Sequence, residues 1–424
     1  MKALRHFTDN LRLGFATIGH NGRMILLFQP LWAIANALYA PYLTQYMLAV
    51  GCTKAQVGII NAVGMVSGAV IGLFAGWVTD RLGRRLATFY GDILNWAVSC
   101  LLWALASNWW WFLAGAISNS FVRLVGVSWN CLLTEDTAPN NRLTIFWWMN
   151  VANTTAIFFT PLMTPFINRW GLADTMRVVL LVTVVLYMGI YVLRQRVTRD
   201  TPISRERQEV SRGTSPLDGI RAFGPLIGRL LRNPLLLTFL LIRSIYYVQT
   251  TVKGSFFSVA VVQGMGFADS IIGTINLLTG VVMLTMQFIL LPRLTIQRPI
   301  VPLMISLSAL LLAHLGLVLA PAHSWLSLLL IVVVSSGGAV LTGMLVDTLT
   351  ANAMPDEDRA PLLALTSVIM VALSAPLQLL SGFLAELPGV GPRLPMALVT
   401  ALFALCIGLL ALYARRQKSS PLAV

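Results

Sequence analysis

Charge is what this 424-residue sequence has least of: Asp, Glu, Lys and Arg together make up 11% of it. An ordinary soluble domain carries roughly 25%. A soluble fold of this length needs a charged surface, so the deficit excludes a soluble enzyme. The same apolar bias excludes a disordered chain. Cysteine is also scarce. Cys52, Cys100, Cys131 and Cys406 have no metal-ligand spacing, and at least three lie in apolar runs. A disulfide scaffold and a thiolate metal centre are excluded with them. There is no Gly-rich loop with a phosphate-binding lysine and no H-E-x-x-H, so neither ATP as a driving force nor a metal or other cofactor is expected. The acids are the rarer charge, 16 against 30 Lys and Arg, for a net +14.

What fills the chain instead is apolar sequence, 57% of all residues. It comes in continuous runs near the ~20 residues that cross a bilayer as a helix, without the alternation of barrel strands. Twelve runs can be marked, at 24–49, 57–79, 86–107, 109–134, 144–167, 176–195, 234–262, 268–291, 298–319, 324–349, 360–386 and 394–414. They predict an all-α membrane protein of twelve transmembrane helices, and a lipid bilayer as its surroundings. With the N-terminus placed in the cytoplasm, 23 of the 30 basic residues fall on the inner side, counting Arg298 at its span end there and Arg194 with the central loop; 4 fall on the outer side, counting Arg177 at its span end, and 3 lie deep within spans. This is the inside bias of Lys and Arg. It places both termini in the cytoplasm of a multi-pass protein of the cell (inner or plasma) membrane. It also explains the basic balance without a nucleic-acid partner.

A polar, arginine-rich stretch divides six spans from six. The expected organisation is an N-terminal six-helix bundle at 1–195, a cytoplasmic central loop at 196–233 and a C-terminal six-helix bundle at 234–424. From Pro216 to Leu231, Leu217, Ile220, Phe223 and Ile227 alternate with arginines, the pattern either of a short helix on the membrane surface or of a plain linker. A weak repeat relates the halves: Glu135-Asp136-Thr137-Ala138-Pro139-Asn140-Asn141-Arg142 follows span 4, and Asn352-Ala353-Met354-Pro355-Asp356-Glu357-Asp358-Arg359 follows span 10. Two related halves are a hallmark of secondary transporters.

The strongest local signal is Gly76-Trp77-Val78-Thr79-Asp80-Arg81-Leu82-Gly83-Arg84-Arg85, between spans 2 and 3. It resembles the signature loop of the major facilitator superfamily, G-x-x-x-D-R-x-G-R-R/K, at every key position. The twelve spans and central loop extend the likeness over the chain. The resemblance implies two pseudo-symmetric six-helix bundles, alternating access, and a cytoplasmic lock made by Gly76, Asp80, Arg81, Gly83, Arg84 and Arg85. Gly76 would allow close backbone approach. Asp80 would favour the N-terminus of span 11, and Arg84 would reach Glu135 or Asp136. Gly64, Gly68, Gly72 and Gly76 share one face of span 2, where small residues permit close helix packing. In the resembled fold that face meets span 11. A topogenic basic loop and static packing are the plainer alternatives.

Ionisable residues inside spans mark function. Asn119, Arg123, Gly126 and Asn130 form a stripe on span 4, and Arg243, Tyr246, Thr250 and Lys253 one on span 7. Gln29 and Asn36 mark span 1; Ser335, Gly338 and Thr342 mark span 10. The resemblance turns all four stripes toward a substrate cavity. The alternative for the arginines is a structural ion pair, with Asp92 the acid available to Arg123, and Lys253 can instead snorkel outward. Trp32 and Trp129 can pack on a ligand or on their neighbours; Trp109, Trp110, Trp111 and Trp325 read as interfacial anchors. Spans 1 and 7 carry no acid, unlike many exporters of cationic drugs in the superfamily. Two or three cations with few acids favour an organic anion. The expected function is a monomeric secondary active transporter of a small solute, with a coupling proton or ion left open. The alternatives are a neutral sugar, polyol or drug-like solute, or a non-transporting receptor of the same fold.

Overall fold

The computed structural model describes residues 18–138, 141–211, 213, 215, 228, 230, 234–290, 299–353 and 359–419. Among these residues every regular element is helical. The chain runs α1 His20–Tyr39, α2 Leu43–Ala49, α3 Lys54–Leu82, α4 Arg84–Asp92, α5 Ser99–Ala104, α6 Trp109–Asn119, α7 Val122–Thr134, α8 Arg142–Ala156 and α9 Met163–Trp170. It continues with α10 Leu172–Val197, α11 Pro202–Ser211, α12 Pro234–Val259, α13 Ile271–Thr285, α14 Ile300–Leu319, α15 Trp325–Asn352, α16 Arg359–Glu386 and α17 Leu394–Ser419. Residues 216–227 and Leu231, where the surface helix or linker was expected, lie outside the described residues, as do Pro139, Asn140 and 354–358 of the repeat.

Nine helical stretches among the described residues are long and apolar enough to cross a membrane. The stretches at 84–104, 142–170 and 234–264 occupy the positions expected of spans 3, 5 and 7 and are not among the nine. The surface agrees with a lipid setting: Val185 is 75% exposed and Leu319 71%, positions that water would penalise and acyl chains do not. Breaks in the helices have local causes. Asn108 accepts from the N–H of Trp110 at 3.1 Å and starts α6, as a capping asparagine does. Pro30 stands inside α1 and removes one backbone donor. A π-helical turn at Ile93–Val98 joins α4 to α5.

Contacts group the chain into two compact units. The first is residues 1–40, 67–160 and 173–221; the second is 41–66, 161–172 and 222–424. Within the first, α1 packs on α7 and α8, and α4 on α7. Within the second, α14 packs on α15 and α17, and α12 on α16.

Candidate functional site

The first unit encloses a cavity of about 260 Å³. Helix α1 supplies Phe28, Gln29 and Trp32, α7 supplies Trp129 and Asn130, and α8 supplies Asn153. Asp92 ends α4, Trp96 follows in the π turn, and Arg194 comes from α10. Trp32 meets Trp96 edge-on at 4.9 Å and stacks near Tyr187 at 6.3 Å. One wall is therefore a fixed aromatic cluster. Trp32 and Trp129, doubtful ligand contacts from sequence, both face this cavity.

Arg194 donates to Asp92, and both are buried. This corrects two expectations. The acid of span 3 serves Arg194 and not Arg123. Arg194, grouped with the arginines of the central loop by position, lies inside a helix that runs to Val197. A signal for it existed: Tyr187, Tyr191 and Arg194 recur at helical spacing, and the guanidinium lies 5.3 Å above the Tyr191 ring. Gln29 donates to Asn153 at 2.7 Å. Asn153 is the second residue the sequence reading missed.

The remaining stripes are dispersed. Asn130 lines the cavity and donates back to the Gly126 carbonyl. Asn36 instead bonds Tyr39 at 3.2 Å, and Asn119 bonds Asn95 at 3.0 Å, joining α6 to the π turn. Arg123 lies against α3: a Cβ at Gly68 would be 3.4 Å from its Cγ, and one at Gly72 would be 3.7 Å from its Cβ. So the expected span 2 glycine face, at these two positions, receives Arg123 of α7.

In the second unit, Arg243 pairs with Asp347 of α15 at 3.1 Å, an acid near the end of span 10. Tyr246 donates to the Ala339 carbonyl at 2.8 Å and Thr250 to the Tyr246 carbonyl at 3.0 Å. Lys253 does not snorkel outward; it reaches Ser335 at 3.2 Å and lies over the Phe257 ring at 5.3 Å. The span 10 stripe packs largely on α14: Thr342 bonds Ser306 at 2.8 Å, and Gly338 lies against Leu310.

The signature loop is fully built within the first unit. Arg84 bonds Asp80 at 2.6 Å and Glu135 at 3.0 Å, as the resemblance implied for Glu135. Burial works against its charge. The carboxylates of Glu135 and Asp80 outweigh burial and hold the guanidinium above the usual arginine range. Gly83 has φ +85°, and a Cβ there would collide with Gln208 of α11; that backbone suits glycine. Arg85 donates to the Gln195 carbonyl at 2.9 Å, and its N–H points to Asp200 at 3.3 Å. Arg81 lies 5.2 Å over the Trp77 ring. Asp136 takes no part in holding Arg84; it accepts from the N–H of Asn21 at 2.6 Å and anchors the start of α1. A Cβ at Gly76 would meet nothing within 4 Å, so the close approach expected there is not made among the described residues. The start of the central stretch is a helix, α11, whose Ser204 accepts from the N–H of Arg84 at 3.3 Å.

The second unit holds a tight helix crossing of its own. A Cβ at Gly58 of α3 would lie 2.9 Å from the Cα of Gly382 in α16. Glu386 accepts from the N–H groups of Lys54 and Ala55 at 2.8 and 3.2 Å, an anion on a helix N-terminus. Ser255 of α12 accepts from Asn61 at 3.1 Å and also from Gln378. A small-residue contact of span 2 with span 11 thus exists at Gly58, six residues before Gly64 and off the predicted stripe.

Comparison with known proteins follows the same lines. Residues 26–377 match the family model described as Major Facilitator Superfamily. An uncharacterised MFS-type transporter of Bacillus subtilis (strain 168), YqjV, is 25% identical over 132 residues, which span 31% of this chain and 32% of that relative. Among solved structures, the POT family transporter PepTSo superposes with a TM-score of 0.69 at 13% identity, covering 94% of this chain and 98% of its own. The nucleoside transporter NupG gives 0.69 at 14% identity, covering 93% and 99%. At these identities the likeness is one of fold.

Proposed function

Because the chain belongs to the major facilitator superfamily, we propose that this multi-pass membrane protein is a secondary active transporter, not an enzyme, that moves a small organic solute by alternating access. It works as a monomer of two six-helix bundles at 1–195 and 234–424, with both termini in the cytoplasm. The observation that carries the substrate reading is the cavity of the first unit, whose two charges, Asp92 and Arg194, neutralise each other. A balanced pair inside aromatic and amide walls suits an uncharged solute. The organic anion rested on unpaired cations, and Arg243 has Asp347 beside it. One observation still favours the anion: Lys253 reaches a hydroxyl and an aromatic ring, and no carboxylate among the described residues. The gating role of the Asp80–Arg85 loop rests on the ion pair of Arg84 with Glu135. Solute uptake into proteoliposomes tests the function. Binding with no uptake of any bound solute would leave a receptor of the same fold.

A further inference from the structure

The amide pair in the cavity has hydrogen-bonding capacity left over. A primary amide carries two N–H donors and an oxygen with two acceptor sites. Gln29 spends one donor on the Asn153 oxygen. The Gln29 carbonyl and the Asn153 amino group remain. Were the bond reversed, with Asn153 donating to Gln29, the Asn153 carbonyl and the Gln29 amino group would remain. In either arrangement the pair offers one acceptor and one donor side by side. Asn153 is exposed and Gln29 buried, so the pair reaches from the mouth of the cavity into its wall.

The complement of an adjacent acceptor and donor is an adjacent donor and acceptor. A carboxamide or a lactam presents this on one edge. A carboxylate presents two acceptors and no donor, so it leaves the protein's carbonyl unpaired. The rest of the wall adds two constraints. Phe28, Trp32, Trp96 and Trp129 are faces for a planar ring. Among the lining residues Asp92 and Arg194 are the only charges, and they are spent on each other, so an ionic solute gains no unshared counter-charge. The volume of about 260 Å³ lies below the ~300–1,000 Å³ of drug-sized sites, which suits one or two rings.

We propose that this cavity binds an uncharged, planar aromatic amide or lactam, its amide edge on Gln29 and Asn153 and its ring against the tryptophans. The assignment rests on the transporter reading for its role as substrate site, but its binding chemistry stands separately. The test is isothermal titration of the purified full-length protein with benzamide and 2-pyridone, each beside its counterpart without the amide edge, benzoate and pyridine. Benzamide and 2-pyridone should bind about tenfold or more tightly than benzoate and pyridine, because a site built around hydrogen bonds rejects analogues that leave its groups unpaired. Gln29→Leu and Asn153→Leu should each remove that advantage, with melting curves recorded in parallel. If Asn153→Leu loses its cooperative melt, the isosteric Asn153→Asp carries the test, since it keeps the shape and loses the donor. Failure of both amides to bind a cooperatively melting wild type overturns the assignment. So does benzoate binding as well as benzamide, or amide binding that survives both substitutions. A separate arm measures uptake of labelled benzamide into proteoliposomes. Binding without uptake would refute transport and leave the site standing. Uptake of an anion unaffected by excess benzamide would refute the site and leave transport standing.

Discussion

Alanine at Gly58 adds a single methyl, and the structure says where it goes. Its carbon would stand 2.9 Å from the Gly382 Cα and 3.1 Å from the Gln378 carbonyl oxygen. Carbon atoms rest at about 3.5–4.0 Å, so α3 and α16 must part by roughly 0.6–1 Å at this crossing. Both obstacles are backbone atoms, which cannot rotate aside. Overpacking of this kind costs about 1–3 kcal/mol. If the proposed alternating access opens this crossing once in each cycle, only the closed form bears that cost. The closed population should therefore fall by about 5–150-fold relative to the open one. Electron–electron double resonance between labels at Thr53→Cys and Leu387→Cys reports the separation. The native Cys52 is a poor label site, because burial pushes its thiol up to about 11. Gly58→Ala should add a longer-distance population. Gly76→Ala is the control, since its methyl meets nothing within 4 Å. An unchanged distance distribution together with an unchanged melting temperature would refute the reasoning.

Three further outcomes are expected. Removing either partner of the buried Asp92–Arg194 pair, by Asp92→Leu or Arg194→Met, should cost about 3–5 kcal/mol, and the double replacement should recover most of it; melting of all three variants decides, and additive losses would contradict the pair. Asp347→Asn, at an ion pair whose carboxylate is 67% exposed, should change stability by no more than about 1 kcal/mol; a loss as large as that at Asp92 would show the pair to be shielded from solvent. Gly83→Ala forces an alanine to φ +85° and against Gln208, so it should lose about 1–3 kcal/mol, and Gln208→Ala in the same chain should return only the steric share; full recovery would mean the backbone angle carries no cost.

The family and its fold were legible because hydrophobic runs and the Asp80–Arg85 loop are local patterns. The site was less so. Gln29 and Asn130 were found by helical spacing, and they do line the cavity. Asn119 and Thr342 share that spacing yet bond neighbouring helices, and Asn36 bonds Tyr39 of its own helix. Periodicity finds a face and does not say what the face meets. Arg194 was misread because a basic residue at the end of an apolar run looks like the start of a loop. Its partner is 102 positions away in sequence. Gly64, Gly68, Gly72 and Gly76 of span 2 were read as the face for span 11, but Gly68 meets Arg123, while Gly58, outside that stripe, meets Gly382. A helix about 40 Å long at 1.5 Å per residue passes several neighbours, and each meets a different part of it.

The π turn at Ile93–Val98 bears on how this cavity is inherited. Such a turn amounts to one residue inserted into an α-helix. Losing a residue there would restore regular winding and leave both flanks intact, so the deletion is cheap for folding. The wide turn absorbs the extra residue, so α4 and α5 would keep their phase and only the side chains within the turn would be re-aimed. Asp92, before the turn, would keep its place, while Trp96, inside it, would face elsewhere. A one-residue gap at this point in a lineage is then a change of cavity lining achieved without touching the ion pair, and length variation here should accompany variation in what the pocket accepts.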